Sequence, residues 1–283
     1  MRDFLEKKPN VVFWNTREEK VTMADFQFLS ISNEESVSFL SINRPPVNAL
    51  GVQLLDELDR AMDVLGTDPK TKVIVIVSAI ANVFIAGVDL KEMAALTNPE
   101  DILKVIQKGQ AVFNKIEDSE KPVIAAVQGA CVGGGQELIM ACHIRIASDR
   151  TRFAQPEITL GIIPGFGGSQ RLPRLVGPSR ATELILTGDL ITPQEAFRIG
   201  LVNRVVSDGA LIKTARETAK KIARHGLPAI RAAMRAIRDG LDKPLSEGLR
   251  IEEKEFMSIS GTRDMREGIR AFMEKRQPKF TDS

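Results

Sequence analysis

Two carboxylates and a run of glycines are the parts of this chain whose types and spacing point to chemistry. Gly133, Gly134 and Gly135 stand together, and Glu137 follows two positions after the last of them. Glycine loses more backbone freedom on folding than any other residue, so three in succession mark a place that needs bare backbone. Glu137 lies three positions beyond Gly134; on a helix that spacing sets its side chain one turn along, on the same face. Glu157 follows Pro156 in Phe153-Ala154-Gln155-Pro156-Glu157-Ile158, a strand-like segment ending in a turn. A glutamate in ordinary context is a solvated surface charge. Two of them in apolar surroundings suit a paired general acid and general base. Other chemistries find less support. The only histidines, His143 and His225, have no metal-ligand neighbours, and no serine sits at the glycine turn with a histidine placed to activate it. There is no Gly-x-x-x-x-Gly-Lys-Ser/Thr, and Gly165-Phe166-Gly167-Gly168 lacks dinucleotide-fingerprint spacing, so nucleotide cleavage is not supported.

These groups need elements to position them. Pro122 to Val127 is a short apolar run that reads as a buried strand, and Glu137 to Cys142 reads as a helix, so the glycines fall at a strand-to-helix turn. A helix starting there aims unpaired N–H groups and its positive dipole end at whatever lies above the strand, a natural acceptor for negative charge developing on oxygen. Upstream, Phe26 to Ile31 and Ser36 to Ile42 alternate apolar and polar residues as a hairpin would, with Ser32 to Glu35 as its turn. Leu54, Leu55, Leu58, Met62 and Leu65 predict a helix over 50–65, and Val73 to Val77 reads as a core strand of a parallel sheet. Phe84 to Met93 is a glycine-bearing turn into a helical start, a further helix runs from Pro99 to Ile116, and Gly161 to Ser169 is a glycine-rich loop before another helix. Such alternation predicts an α/β core with active groups on turns at strand ends. From about Leu211 helical periods dominate; four helices with few strands read as a separate packing or oligomerisation module, the last started by Asp264 and Glu267 at capping-box spacing. The organisation is therefore an extension over 1–24, a catalytic core over 25–208 and a helical module over 209–283.

Composition limits the partners. With 283 residues, 43% hydrophobic and 27% charged, the chain has the balance of a soluble globular protein. A net charge of +2 provides no global basic field for nucleic acid or an anionic membrane. The longest apolar stretch, Val73 to Val88, is interrupted by Ser78, Asn82 and Gly87 and is too short to span a bilayer. Cys131 and Cys142, in apolar context without ligand spacing, read as small buried hydrophobes. With no apolar leader visible, the expected location is the cytoplasm.

The segment Lys121-Pro122-Val123-Ile124-Ala125-Ala126-Val127-Gln128-Gly129-Ala130-Cys131-Val132-Gly133-Gly134-Gly135-Gln136-Glu137-Leu138 resembles the signature of the crotonase (enoyl-CoA hydratase/isomerase) superfamily. Phe84 to Met93 resembles the family's first oxyanion-loop motif, Gln155 to Gly165 its second acidic motif, and Arg263 to Phe280 its C-terminal helix, so the likeness extends from about Phe26 to Phe280. It implies an α/β spiral of repeated ββα units with a C-terminal helical oligomerisation segment, usually a homotrimer or a dimer of trimers. It implies that the backbone N–H groups of Val88 and Gly134 form an oxyanion hole for an acyl-CoA thioester, with no Cβ at Gly134 to crowd it. Ala86, Gly87, Asp89, Leu90, Lys91 and Gly133 would line the CoA and substrate path, mostly by backbone contacts. Neither metal nor separate cofactor is implied, since coenzyme A belongs to the substrate. Glu137 would activate the attacking water and Glu157 would exchange the proton at Cα. Retention of both glutamates favours hydration of a trans-2-enoyl-CoA to a 3-hydroxyacyl-CoA, in fatty or carboxylic acid degradation, over double-bond isomerisation or hydration of a cyclic or dienoyl thioester. A non-catalytic or RNA-binding member of the family is the alternative of another class; near-neutral charge without a basic, aromatic-interleaved stretch argues against RNA. One departure is His143, which stands where the family commonly has aspartate and is expected to act structurally.

Overall fold

The alternating segment after Phe26 pairs with itself as β1 (Leu29–Glu34) and β2 (Val37–Ile42), antiparallel and in register from Leu29 opposite Ile42 to Glu34 opposite Val37. The computed structural model describes residues 26–283, so the expected extension over 1–24 lies outside the described residues. The reversal falls at Glu35-Ser36, with Glu35 at φ +55, rather than over Ser32 to Glu35. The polar residues that suggest a turn form the end of an edge strand, where Glu34 is paired with Arg216 at 2.7 Å.

Beyond the hairpin, successive strands alternate between two sheets. β3 (Val73–Ser78), β5 (Val123–Val127) and β7 (Ile144–Ser148) add in parallel to β2, and β9 (Arg204–Val206) closes a six-stranded sheet of order β1-β2-β3-β5-β7-β9. The strand that follows each of the first three, β4 (Val83–Ala86), β6 (Ala130–Val132) and β8 (Arg152–Ala154), joins a second parallel sheet of order β4-β6-β8. The chain is thus a spiral of strand–strand–helix turns, each giving one strand to each sheet. The intervening helices are α1 (Val52–Thr67), α2 (Leu90–Ala95), α3 (Pro99–Glu117), α4 (Gly134–Ala141), α5 (Gly168–Val176), α6 (Pro178–Thr187) and α7 (Pro193–Arg198). The main core fills the space between the large sheet and the helices, with Leu54, Leu58, Phe84, Phe113, Leu138 and Phe153 among its buried members.

The C-terminal region contains α8 (Leu211–Ala223), α9 (Leu227–Gly240), α10 (Leu245–Ile259) and α11 (Arg263–Met273). α8 does not belong with a separate module. Its Leu211, Ile212, Ala215 and Ala219 pack on Val37, Phe39, Val73, Val75, Ile124 and Ile146, covering the outer face of the large sheet. Val73, Val75 and Val77 point to that face while Ile74 and Ile76 point to the main core, so a strand apolar on both sides needs a helical cover on both. The α11 cap also differs from the capping-box reading: Thr262 accepts from Met265 N, while the Asp264 carboxylate accepts from Thr281 N and Asp282 N and ties down the chain end.

Helix α4 lies so close to β4 that its backbone must be bare. A Cβ at Gly135 would stand 2.7 Å from Ile85 Cβ and closer still to the Ile85 carbonyl oxygen. Neither atom can swing away, so Gly135→Ala is expected to cost about 3 kcal/mol of stability. Gly66→Ala, in α1 with open space around it, should instead gain up to about 1 kcal/mol from helix propensity. Urea denaturation of the two variants checks the contrast.

Candidate active site

The small sheet gathers the site. In register, Ala86 of β4 faces Val132 of β6, and Val132 faces Ala154 of β8. The three residues end adjacent parallel strands, so the turns that follow, Gly87-Val88, Gly133-Gly134 and Gln155-Pro156-Glu157, emerge side by side at one edge. Gly133 N–H donates to Ala154 O at 2.9 Å, and a Cβ at Gly133 would lie 3.5 Å from Gly87 Cα. Parallel strands open their carboxyl ends together, the usual place for a site in such a sheet.

Two backbone donors are left over at that edge. A parallel bridge joins Leu50 to Val88, using Leu50 N–H to Gly87 O and Asp89 N–H to Leu50 O; Val88 N–H points away from this pairing. Gly134 is the first residue of α4, where no preceding turn supplies an acceptor. Among the described residues neither N–H has an acceptor. Gly133 reaches the helix start through φ +54, ψ −126, a conformation open to glycine alone. At Gly134 a Cβ would meet Leu50 Cδ1 at 2.8 Å and come within 3.5–3.6 Å of Val88 Cγ1 and the Phe166 ring. Its bareness therefore also serves packing against those three side chains.

Glu137, one turn into α4, is 1% exposed. Its Oε1 accepts from Phe166 N at 2.8 Å and Gly168 N at 2.7 Å, the amides of the glycine-rich loop entering α5. Burial is the largest influence and pushes its carboxyl up to about 7; Gly168 N–H opposes, the Glu157 charge adds to the rise, and Phe166 N–H and Arg171 lower it. Glu157 lies on a short 3-10 turn, Pro156–Leu160, closed by the left-handed Gly161, rather than on the end of a strand. Pro156 cannot extend the β8 ladder and fits the first position of a helical turn, which redirects the chain there. Glu157 is buried, its carboxyl is pushed upward by desolvation, and its Oε2 has no partner among the described residues. Its Oε1 hangs over the glycine turn, 2.6 Å from where a Gly133 Cβ would be.

The remaining sequence candidates fall into two groups. Ala86 ends β4 and Gly87 follows it beside the free amides, while Leu90 and Lys91 are exposed on the first turn of α2. Asp89 is occupied structurally. Its carboxylate caps α2 through Lys91 N and Glu92 N and pairs with Arg44 at 2.8 Å, which holds it below the usual range despite burial. His143 is likewise structural, accepting from Val123 N at 3.0 Å through Nδ1. Cys131 and Cys142 are free and buried, and burial raises both thiols, Cys142 to about 12. Sequence reasoning missed Phe166, Gly168 and Arg171, which surround Glu137; the glycine-rich loop at 165–168 was the visible signal, without a ligand to explain it. Among the described residues there is no cluster of metal-ligating side chains and no helix long and apolar enough to cross a membrane.

The arrangement sets two amides without acceptors beside two buried carboxyl groups, both shifted upward by burial. Known proteins resemble the chain over most of its length. A model of the family described as enoyl-CoA hydratase/isomerase matches residues 32–283. The chain is 41% identical over 256 residues to a crotonyl-CoA hydratase of Syntrophomonas wolfei, covering 90% of this chain and 98% of that protein. It is 41% identical over 248 residues to a short-chain-enoyl-CoA hydratase of Clostridium acetobutylicum, covering 87% and 95%. A crystal structure of an enoyl-CoA hydratase from Bacillus anthracis superposes with a TM-score of 0.88 at 39% identity, covering 91% of this chain and all (100%) of that one.

Proposed function

The chain belongs to the enoyl-CoA hydratase/isomerase family, and from that premise we propose that it adds water reversibly to a trans-2-enoyl-CoA, giving a 3-hydroxyacyl-CoA in fatty or other carboxylic acid degradation. The observation that carries this reading is the meeting of Glu137 and Glu157, both buried and both shifted toward protonation, beside two unclaimed amides. Glu157 Oε2, buried and with no partner among the described residues, is available to face bound substrate.

In this mechanism the thioester oxygen accepts from Val88 N–H and Gly134 N–H, which polarises the enone and holds the enolate-like charge formed on attack. Glu137, fixed through Oε1 by Phe166 N–H and Gly168 N–H, takes a proton from water through its other oxygen as the water oxygen bonds to Cβ. The π pair of the double bond forms the new C–H bond at Cα with the proton carried by Glu157. One proton is gained by the pair and one is lost, so exchange with solvent restores the resting state. No electrons enter or leave, so the reaction asks for no redox cofactor. Ala86, Gly87 and the start of α2 at Leu90 and Lys91 would carry the CoA portion.

Assembly as a homotrimer or dimer of trimers is part of the proposal. It is supported by exposed Ile237, Leu241, Leu245, Phe256 and Phe272 on α9 to α11 and the segment joining them, an apolar load unusual for a free surface. Light scattering behind gel filtration measures the mass directly. A cytoplasmic setting is supported by two unpaired buried cysteines.

The deciding assay is the loss of enone absorbance when the full chain is mixed with crotonyl-CoA. Saturable loss, with 3-hydroxybutyryl-CoA as product, is the expected result; a folded protein that leaves the absorbance unchanged overturns the assignment. A panel of enoyl-CoA thioesters of graded length and branching then sets the acyl preference.

A further inference from the structure

The loop that grips Glu137 is itself gripped by a charged residue for which the reaction so far has no use. Arg171, on the first turn of α5, is only 9% exposed. Its Nη1 donates to Phe166 O at 3.0 Å, and its Nε and Nη2 donate to Glu117 Oε2 at 2.9 and 2.7 Å. Nη2 also donates to Asn114 Oδ1 at 2.6 Å. Gly167 turns at φ +109 around this guanidinium, and a Cβ there would collide with Arg171 Nη1. One face of α3 completes the grip. Gly109 leaves room for the Phe166 ring, Gln110 Nε2 donates to Gly165 O at 2.8 Å, and Phe113 meets the Phe166 ring edge-on at 5.7 Å.

We propose that Arg171, anchored by Glu117 and Asn114 of α3, is a positioning residue for Glu137: it fixes the Phe166–Gly168 turn whose amides hold the carboxylate and sets a positive charge behind it. A buried arginine is costly to desolvate, and a turn can be braced with apolar side chains alone. Arginine adds a planar fork that bridges three acceptors on two elements, together with a charge that favours ionised Glu137. The charged groups around Glu137 are Glu157 from the 3-10 turn, Arg171 from α5 and, behind Arg171, Glu117 from α3. Strands β4 and β6, packed against α4, bring only the Cys131 thiol, which burial keeps protonated. Arg171 and Glu157 therefore pull the Glu137 proton affinity in opposite directions.

The proposal rests on Glu137 as the base in hydration, and its test separates the two ideas. Arg171→Gln is expected to lower kcat about 10²-fold, as loss of alignment does, with KM within about threefold. The acid limb of its kcat profile should move to higher pH, because the charge favouring the carboxylate is gone. Arg171→Lys keeps the charge without the fork, so its limb should stay near that of the parent while kcat still falls. Glu117→Gln, at a side chain 46% exposed, leaves Arg171 charged and unneutralised, so its limb should move to lower pH. Opposite movement in the Gln variants is what a merely structural brace would not give. Arg171→Gln that folds with an unmoved limb, or limbs that move together, overturns the proposal. Where Arg171→Gln does not fold, Glu117→Gln and Arg171→Lys decide it. Carbon-13 titration of the Glu137 carboxyl, assigned by its absence in Glu137→Gln, reads the same shifts without turnover. That readout stands even for a parent enzyme inactive on crotonyl-CoA, a result that would sink the hydratase reading alone.

Discussion

Glu137→Gln is expected to lower kcat for crotonyl-CoA hydration by about 10³-fold, within the usual range for losing a general base, while thioester binding changes little. Glutamine keeps an oxygen for Phe166 N–H and Gly168 N–H, so the loop geometry survives and the loss reports the proton transfer. Glu157→Gln should be comparably inactive, since it removes the proton bound for Cα. The parent enzyme should show an acid limb in its kcat profile that reflects ionisation of Glu137, which burial pushes up to about 7, while burial also favours the protonated form of Glu157. The same substitution should act on stability in the opposite sense. Glu137 ionises near 4.5 when unfolded and at about 7 when folded, so between these values the folded state holds a proton that the unfolded state releases. Its contribution to stability is fully present below about 4.5 and is lost as pH rises through about 7. Removing the charge should therefore make Glu137→Gln more stable than its parent at pH 8, by up to about 3 kcal/mol, and not at pH 4. Urea titrations at the two pH values check it. A variant inactive yet more stable is the mark of a group held against its own preference for water.

The parts of this picture that the sequence made legible are those carried by backbone-level rules. Val73 to Val77 and Val123 to Val127 are apolar on every residue, and only a strand covered on both faces explains that in so short a run. The glycine triplet located the strand-to-helix turn because no other residue tolerates φ +54 with ψ −126 at Gly133. What escaped were elements too short to show a period: β6, β8 and β9 have three residues each, and two of them lead into the turns that carry Gly134 and Glu157. The role of α8 escaped because its apolar positions look the same whether they face a sheet or another chain. The grip on Glu137 escaped for a deeper reason. Phe166 and Gly168 contribute amides, which every residue has, and Arg171 acts from 34 positions away in sequence through contacts that only folding creates. Charge pairs between α3 and α5 leave no pattern in either segment.

Gly133→Ala should be the most damaging single methyl in the molecule for catalysis, because it meets two constraints at once. The backbone there lies in a region that an L side chain enters at a cost of about 1–3 kcal/mol. The new Cβ would also sit 2.6 Å from Glu157 Oε1. Of the two groups in conflict, the carboxylate is the end of a flexible side chain and the turn is held by Gly133 N–H to Ala154 O and by Glu137 N–H to Gly133 O, so Glu157 is the one that moves. Displacement by about an ångström from a reacting carbon is worth about 10²-fold in rate, beyond what the stability loss explains at a temperature where the variant is folded. Gly177→Ala separates the two effects. Gly177 also has positive φ, +83, but nothing lies within 4 Å of its would-be Cβ, so it carries the backbone cost without touching a carboxylate. It should lose stability and keep kcat, whereas Gly133→Ala should lose both. Equal kcat in the two folded variants would show that Glu157 does not need the space over Gly133, and would remove the strongest geometric link between the glycine turn and the proposed role of Glu157.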